Sequence, residues 1–143
     1  MTDTMPTPLL DLEGVSKIYG DLHALDDVSL TIGRGEWVSI VGPSGSGKTT
    51  LMNIVGCMDT ASKGRVRLDG QDISDLTGDE LTEIRRSTIG LVFQQFHLIG
   101  HLTALENIMV AQYYHSMPDE KEALEALDRV GLADRATHLP RQL

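Results

Sequence analysis

Positive charge is scarce in this sequence: 12 Lys and Arg residues stand against 21 Asp and Glu residues, for a formal net charge of −9. A protein that binds the phosphate backbone of DNA or RNA needs a concentrated basic surface. The one adjacent basic pair, Arg85 and Arg86, falls in a stretch with helical character, where a solvated helix face explains it. We therefore expect no nucleic acid among the partners of this chain.

Long apolar runs and cysteines are scarce as well. The apolar stretches at residues 37–41 and 89–93 are far shorter than the roughly 18 residues that span a bilayer. The first eight residues contain Asp3 and lack the cationic and apolar parts of a signal peptide. A single cysteine, Cys57, cannot form an internal disulfide, which fits a reducing compartment. From these absences we expect a chain that neither spans a membrane nor is secreted, and that lies in the cytoplasm.

Aromatic residues make up only 4% of the chain, so a core must be built from aliphatic side chains. We interpret residues 1–8 as a flexible lead-in. The pattern then predicts strands at residues 9–12, 28–32, 37–41, 65–68 and 89–93. It predicts a helix over residues 47–56 and three later helices. Strands that alternate with helices indicate an α/β domain with a parallel sheet.

The later helices are recognised by their ends. Thr77 with Glu80, and Thr103 with Glu106, have the spacing of a capping box, in which each side chain accepts a hydrogen bond from a backbone amide that is otherwise unpaired. The third helix opens at residues 118–120, which include a proline and two acidic residues, and closes at Gly131.

One motif carries chemistry. The eight residues from Gly42 to Thr49 match the phosphate-binding P-loop pattern G-x-x-x-x-G-K-[ST] at every fixed position: Gly42, Pro43, Ser44, Gly45, Ser46, Gly47, Lys48 and Thr49. A chance match in a chain of this length is roughly a one-in-hundreds event. The motif also lies between a predicted strand and a predicted helix, as a P-loop requires. A plain Gly/Ser-rich turn explains neither this setting nor the Lys-Thr pair.

Each residue type in the motif has a physical task. The glycines let the backbone point successive amides at phosphate oxygens, and the N-terminus of the following helix adds its partial positive charge. Lys48 supplies a cation for the β- and γ-phosphates, and the hydroxyl of Thr49 supplies a ligand for Mg²⁺. The guanine-reading Asn-Lys-x-Asp of GTPases does not occur in the sequence.

Seven segments of the sequence resemble the motifs of one known family: residues 15–20, 42–53, 64–66, 68–70, 89–98, 102–108 and 130–135. This family is the ABC transporter ATPases, and the resemblance is close to their lipoprotein-release and macrolide-export branch. It runs from about Leu9 to Leu143. The resemblance implies an incomplete ABC-type P-loop core over residues 9–101, with an N-terminal antiparallel strand region. It also implies the start of a helical subdomain over residues 102–143.

The resemblance assigns roles to residues beyond the P-loop motif. Tyr19 would stack on the adenine of ATP, Thr50 would extend the phosphate site, and Gln94 would contact Mg²⁺ and the attacking water. Two alternatives stay open at this point: Tyr19 packs in its strand without touching a ligand, and Gln94 is an ordinary loop glutamine. The implied ligands are ATP and Mg²⁺, with Thr49 and Gln94 as the metal-binding pair.

The resemblance also implies partners. An integral membrane transport subunit would dock on the segment at residues 96–107, next to Gln94, and two copies of the ATPase subunit would pair. The chain would then lie in the cytoplasm, peripheral on the inner face of the cell membrane, and power transport of a cargo that the sequence does not name.

Several family elements are missing from the sequence. The Ser-Gly-Gly-Gln signature, the Walker B aspartate with its catalytic glutamate, and the switch histidine are absent, so we expect a truncated domain without catalytic residues. Hydrolysis depends on such carboxylates to position Mg²⁺ and water. The alternative function is therefore a non-functional remnant that binds nucleotide weakly and does not hydrolyse it.

Overall fold

The computed structural model describes residues 7–143 and divides into two compact units, Met1–Ile89 and Gly90–Leu143. Most of the predicted lead-in at residues 1–8 lies outside the described residues. The unit boundary falls before Leu102, and the predicted subdomain boundary at that residue stays a prediction. Within the described part of the chain, no helix has the length and apolar character needed to cross a membrane.

The first unit is organised around a four-stranded sheet in the order β2-β1-β3-β4. Its strands are β1 (Leu10–Tyr19), β2 (Leu22–Ile32), β3 (Lys63–Leu68) and β4 (Gln71–Asp72). Every pair in this sheet is antiparallel, which confirms the predicted N-terminal antiparallel region. Only Gly20 and Asp21 separate β1 from β2, so the two strands form a hairpin with Tyr19 paired to Leu22.

Two helices cover this sheet: α1 (Lys48–Val55) and α2 (Gly78–Thr88). The register of β1 shifts between Leu12 and Val15, and this irregularity turns both side chains into the core although they are three positions apart. Ile54 of α1 packs in the same core. The core therefore ties the helix that follows the P-loop to the strand that ends at Tyr19.

The second unit is helical. It contains α3 (Ala104–Tyr113), α4 (Glu120–Arg129) and two short 3-10 turns, Ala133–Arg135 and Pro140–Gln142. Its small core is formed by Ala104, Leu127 and Ala136. The side chain of Asn107 holds the segment before α3 in place with two hydrogen bonds. Its amide group accepts one from Ile99 N at 2.8 Å and donates one to the Leu102 carbonyl at 3.1 Å.

The predicted helix ends are confirmed. Thr77 and Thr103 both form capping boxes, in which the hydroxyl accepts from the third helical amide and the glutamate accepts from the cap amide. Asp119 caps α4 by accepting from Glu122 N at 3.0 Å. Each of these ends is a local arrangement of four residues or fewer, which is why spacing alone predicted it.

Two predicted strands are wrong. Residues 37–41 and 89–93 form no strand, and the parallel sheet that they would have built is not formed among residues 7–143. Trp37 and Val92 are fully exposed instead of buried. A strand requires a neighbouring strand for its amides and carbonyls, and neither segment has a ladder partner in the described chain. Apolar composition alone cannot show that a partner is present.

Candidate functional site

The predicted P-loop leads directly into α1. Ser46 N donates to the Pro43 carbonyl at 3.3 Å, and Leu51 N donates to the Gly47 carbonyl at 2.9 Å as the first bond of the helical ladder. Gly47, the residue before α1, has a φ of +84°. A Cβ there would lie 2.5 Å from the carbonyl oxygen of Ala24 in β2. Only glycine therefore allows the loop to pass this close to the sheet.

Lys48 curls back into the loop. Its ammonium donates to the carbonyls of Gly42 at 2.8 Å and Pro43 at 2.6 Å, and lies 3.3 Å from the hydroxyl of Ser46. The positive charge is thus held among the loop's own oxygens, at the start of a helix whose first amides are free of helical partners. A cation beside free amides is the arrangement that attracts phosphate oxygens.

A cleft of about 650 Å³ borders this loop. Seven of the predicted site residues line it: Tyr19, Ser44, Gly45, Gly47, Lys48, Thr49 and Thr50. The remaining loop residues that were predicted are Gly42, Pro43 and Ser46, which contact Lys48. The structure therefore brings Tyr19, more than twenty residues earlier in the sequence, to the same cleft as the P-loop.

Sequence reasoning missed three lining residues at the start of β2: Leu22, His23 and Ala24. The predicted strand began at Val28, six residues after the observed start of β2. The signal for the earlier start was the Gly-Asp pair at residues 20–21, a two-residue hairpin turn. Once the hairpin is recognised, these residues must lie beside Tyr19.

Sequence reasoning also missed the side chains that contact Tyr19. The tyrosine hydroxyl donates to Asp59 Oδ2 at 2.7 Å. Lys17 donates to Asp59 Oδ1 at 2.6 Å and to the Thr60 carbonyl at 2.7 Å, and its ammonium lies over the Tyr19 ring at 5.0 Å from the centroid. Lys17 is buried and Asp59 is half-buried. These three side chains form one connected group, which we call the Tyr19 cluster.

The Tyr19 cluster has defined charges. The hydrogen bond to Asp59 is the main reason why the pKa of Tyr19 is raised, so the phenol stays a neutral donor. Burial pushes the pKa of Asp59 upward, but the hydrogen bonds from Lys17 and Tyr19 outweigh it and leave that pKa lowered. The cluster therefore contains a carboxylate, an ammonium and a phenol that donates to the carboxylate.

Gln94 lies in the second unit, in an exposed irregular segment before α3. The strand that was predicted at residues 89–93, directly before Gln94, is not formed. The P-loop and Thr49 belong to the first unit, so the role of Gln94 toward Mg²⁺ stays a prediction.

Comparison with known proteins places these features in a family. A family model described as ABC transporter matches residues 25–143. The macrolide export ATP-binding/permease protein MacB 1/2 of Paracoccus denitrificans (strain Pd 1222) is 45% identical over 95% of this chain. MacB of Escherichia coli (strain K12) is 45% identical over 96% of this chain. The chain spans 21% and 22% of the length of these two relatives.

A solved structure shows similarity to the same family. A dimeric structure of an ATP-binding cassette, in a post-hydrolysis state bound to ADP and Pi, is 46% identical to this chain and has a TM-score of 0.84. The similarity covers 94% of this chain and 62% of that one. The fold implied by the family resemblance, an incomplete ABC ATPase core with an N-terminal antiparallel strand region, is therefore confirmed. By the family model, the sequence identity and the shared fold, this chain belongs to the ABC transporter family.

Proposed function

We propose that this chain binds ATP with Mg²⁺ at residues 42–50 and forms part of the ATPase subunit of a membrane transporter. The observation that carries the proposal is the position of the Lys48 ammonium, within 3.3 Å of three oxygens of its own loop and on the border of the cleft that Tyr19 also lines. A polyphosphate with an aromatic base has the matching chemistry: anionic at one end and flat at the other.

The residues present fit a triphosphate and its metal. Lys48 can exchange carbonyl partners for phosphate oxygens, which accept charge-assisted hydrogen bonds more strongly than carbonyls do. Gly47 allows the P-loop to lie against β2, because any side chain there would collide with that strand. The exposed Thr49 side chain, in the first turn of α1, would hold Mg²⁺. The contribution of Gln94 to the metal stays a prediction from the family resemblance. When bound, Mg²⁺ neutralises charge on the phosphate oxygens.

Tyr19 would hold the base. It lies at the end of β1 with about half of its surface exposed, at 47%, and it lines the cleft. Stacking of a base on an aromatic ring contributes about 1–3 kcal/mol. A tyrosine that only packed in its strand would need neither this exposure nor a place beside the P-loop.

The partners follow from the same proposal. The relatives are named as macrolide export ATP-binding/permease proteins, and the solved cassette is a dimer. We extend both properties to this chain: a membrane transport subunit docking at residues 96–107, and pairing of two ATPase subunits. Leu98 and Ile99 are partly exposed in that segment, as apolar residues of a transient interface are. The chain would work in the cytoplasm, at the inner face of the membrane.

A second candidate function is weak nucleotide binding without turnover. The exposure of the segment before the P-loop favours it, since Trp37 is fully exposed and Val41 is 87% exposed. In this arrangement the P-loop is held on one side by α1, whereas the segment on its other side, residues 37–41, forms no strand. A loosely anchored loop loses more entropy when it binds a ligand.

The test is a titration of the chain with a fluorescent ATP analogue in the presence of Mg²⁺. Lys48→Ala should weaken binding about tenfold or more, because the phosphates lose their cation. The matched control is Lys121→Ala, which removes the same charge from an 87% exposed side chain in α4. Equal affinity of Lys48→Ala and the parent chain would sink the proposal.

Phosphate release tests the second candidate. Binding that depends on Lys48, together with no release above background, agrees with both candidates, because the Walker B carboxylates are absent from this sequence. Steady release that disappears in Lys48→Ala excludes the second candidate.

A further inference from the structure

Asp59 joins two segments that lie 40 residues apart in sequence. It comes four residues after the last residue of α1, in the turn that leads to β3. One carboxylate oxygen accepts from Tyr19 at the end of β1, and the other accepts from Lys17 in the same strand. Asp59 therefore connects the far end of the P-loop helix to the end of the strand that carries Tyr19.

Lys17 explains part of this arrangement but not all of it. A buried ammonium needs a carboxylate and further acceptors, and Asp59 and the Thr60 carbonyl provide them. Tyr19 has no such need, because its side chain is about half exposed and water can serve its hydroxyl. The Tyr19–Asp59 bond thus restricts an aromatic ring that has no solvation reason to be restricted.

The restriction has a geometric consequence. The ring is held at its backbone by β1 and at its hydroxyl by Asp59, which restricts its rotation about the side-chain bonds. The ammonium of Lys17 lies over the ring at 5.0 Å from its centroid. The face away from Lys17 is then the one on which a ligand in the cleft can stack.

We infer that Asp59 is a positioning residue, which holds the ring of Tyr19 as a preset stacking surface for the base of the nucleotide at the P-loop. The inference rests on the proposed function and deepens it. Because α1 starts at Lys48 and Asp59 follows its C-terminal end, the eight-residue helix sets the distance between the phosphate cradle and the stacking surface. Preorganisation of this kind raises affinity by removing the entropy cost of ordering the ring on binding.

The cleanest variant is Tyr19→Phe. It keeps the aromatic ring and the Lys17–Asp59 ion pair, and it removes only the hydroxyl that Asp59 holds. Dissociation constants are measured on the 143-residue chain for Mg-ATP and for Mg-tripolyphosphate, which carries the phosphates without a base. We expect Tyr19→Phe to weaken Mg-ATP about fivefold and to leave Mg-tripolyphosphate unchanged. Tyr113→Phe, at a 72% exposed tyrosine of α3, should change neither constant.

A double-mutant cycle assigns the effect to Asp59. Asp59→Asn should lower the preference for Mg-ATP over Mg-tripolyphosphate in the parent chain, and should have no further effect on this preference in Tyr19→Phe. Additive effects of the two substitutions overturn the inference, as does an equal loss of both ligands in Tyr19→Phe, which marks a structural role. A parent chain that binds Mg-tripolyphosphate but shows no preference for Mg-ATP overturns the inference and leaves the phosphate site standing. A parent chain that binds neither ligand refutes the proposed function and the inference with it.

Discussion

Substitution of Gly47 by alanine tests whether the P-loop is held against the sheet as the structure describes. The new methyl carbon would lie 2.5 Å from the Ala24 carbonyl oxygen and 2.8 Å from a methyl group of Leu25. The first of these atoms is backbone, so it cannot move aside without a shift of β2. Gly45 offers the matched control, because its φ is +81° and a Cβ there would meet nothing within 4 Å.

The two substitutions share one cost and differ in another. Alanine in the left-handed region costs about 1–2 kcal/mol at either position. Part of this is offset equally in both variants, since alanine restricts the unfolded chain by about 0.4–1 kcal/mol more than glycine does. The collision with β2 adds about 1–3 kcal/mol at Gly47 only. We therefore expect Gly47→Ala to be about 2 kcal/mol less stable than Gly45→Ala.

Equilibrium denaturation in urea, followed by far-UV circular dichroism, measures the free energy of unfolding of both variants. Equal stability of the two, within about 0.5 kcal/mol, would falsify the close approach of Gly47 to Ala24. The titration with the fluorescent ATP analogue adds a second readout. The displaced loop of Gly47→Ala should bind more weakly than that of Gly45→Ala at the same fraction of folded chain.

Two further predictions concern stability. Asp59 has a lowered pKa in the folded chain, so the stability that it contributes is present above its unfolded pKa of about 3.9 and is lost as the pH falls through the folded value. The stability difference between the parent chain and Asp59→Asn, measured in urea, should therefore be largest near neutral pH and shrink toward pH 3; a difference that grows in acid contradicts this. Thr77→Ala removes the capping box of α2 and should cost about 1 kcal/mol. Thr88→Ala, at the other end of the same helix, should cost less, and equal losses in the two variants would show that the cap contributes nothing.

The features that the sequence alone determined are local. The P-loop was recognisable because four fixed positions within eight consecutive residues must supply two glycines, a lysine cation and a hydroxyl. The caps at Thr77 and Thr103 followed from a three-residue spacing, since the hydroxyl and the glutamate meet within one turn of helix. The position of Tyr19 near the phosphate site came from the family resemblance, and the hairpin of β1 and β2 puts it there.

Tertiary structure decided what depends on distant partners. Residues 37–41 and 89–93 have the composition of buried strands, yet they form none, because a ladder exists only where a second strand supplies the opposite amides and carbonyls. The Tyr19 cluster was also beyond sequence reasoning. Only the packing of α1 on the sheet brings the Asp59 carboxylate within 2.7 Å of a hydroxyl 40 residues earlier. Spacing along the chain reports contacts within a helix turn or a hairpin, whereas contacts across the core are set by how the elements pack.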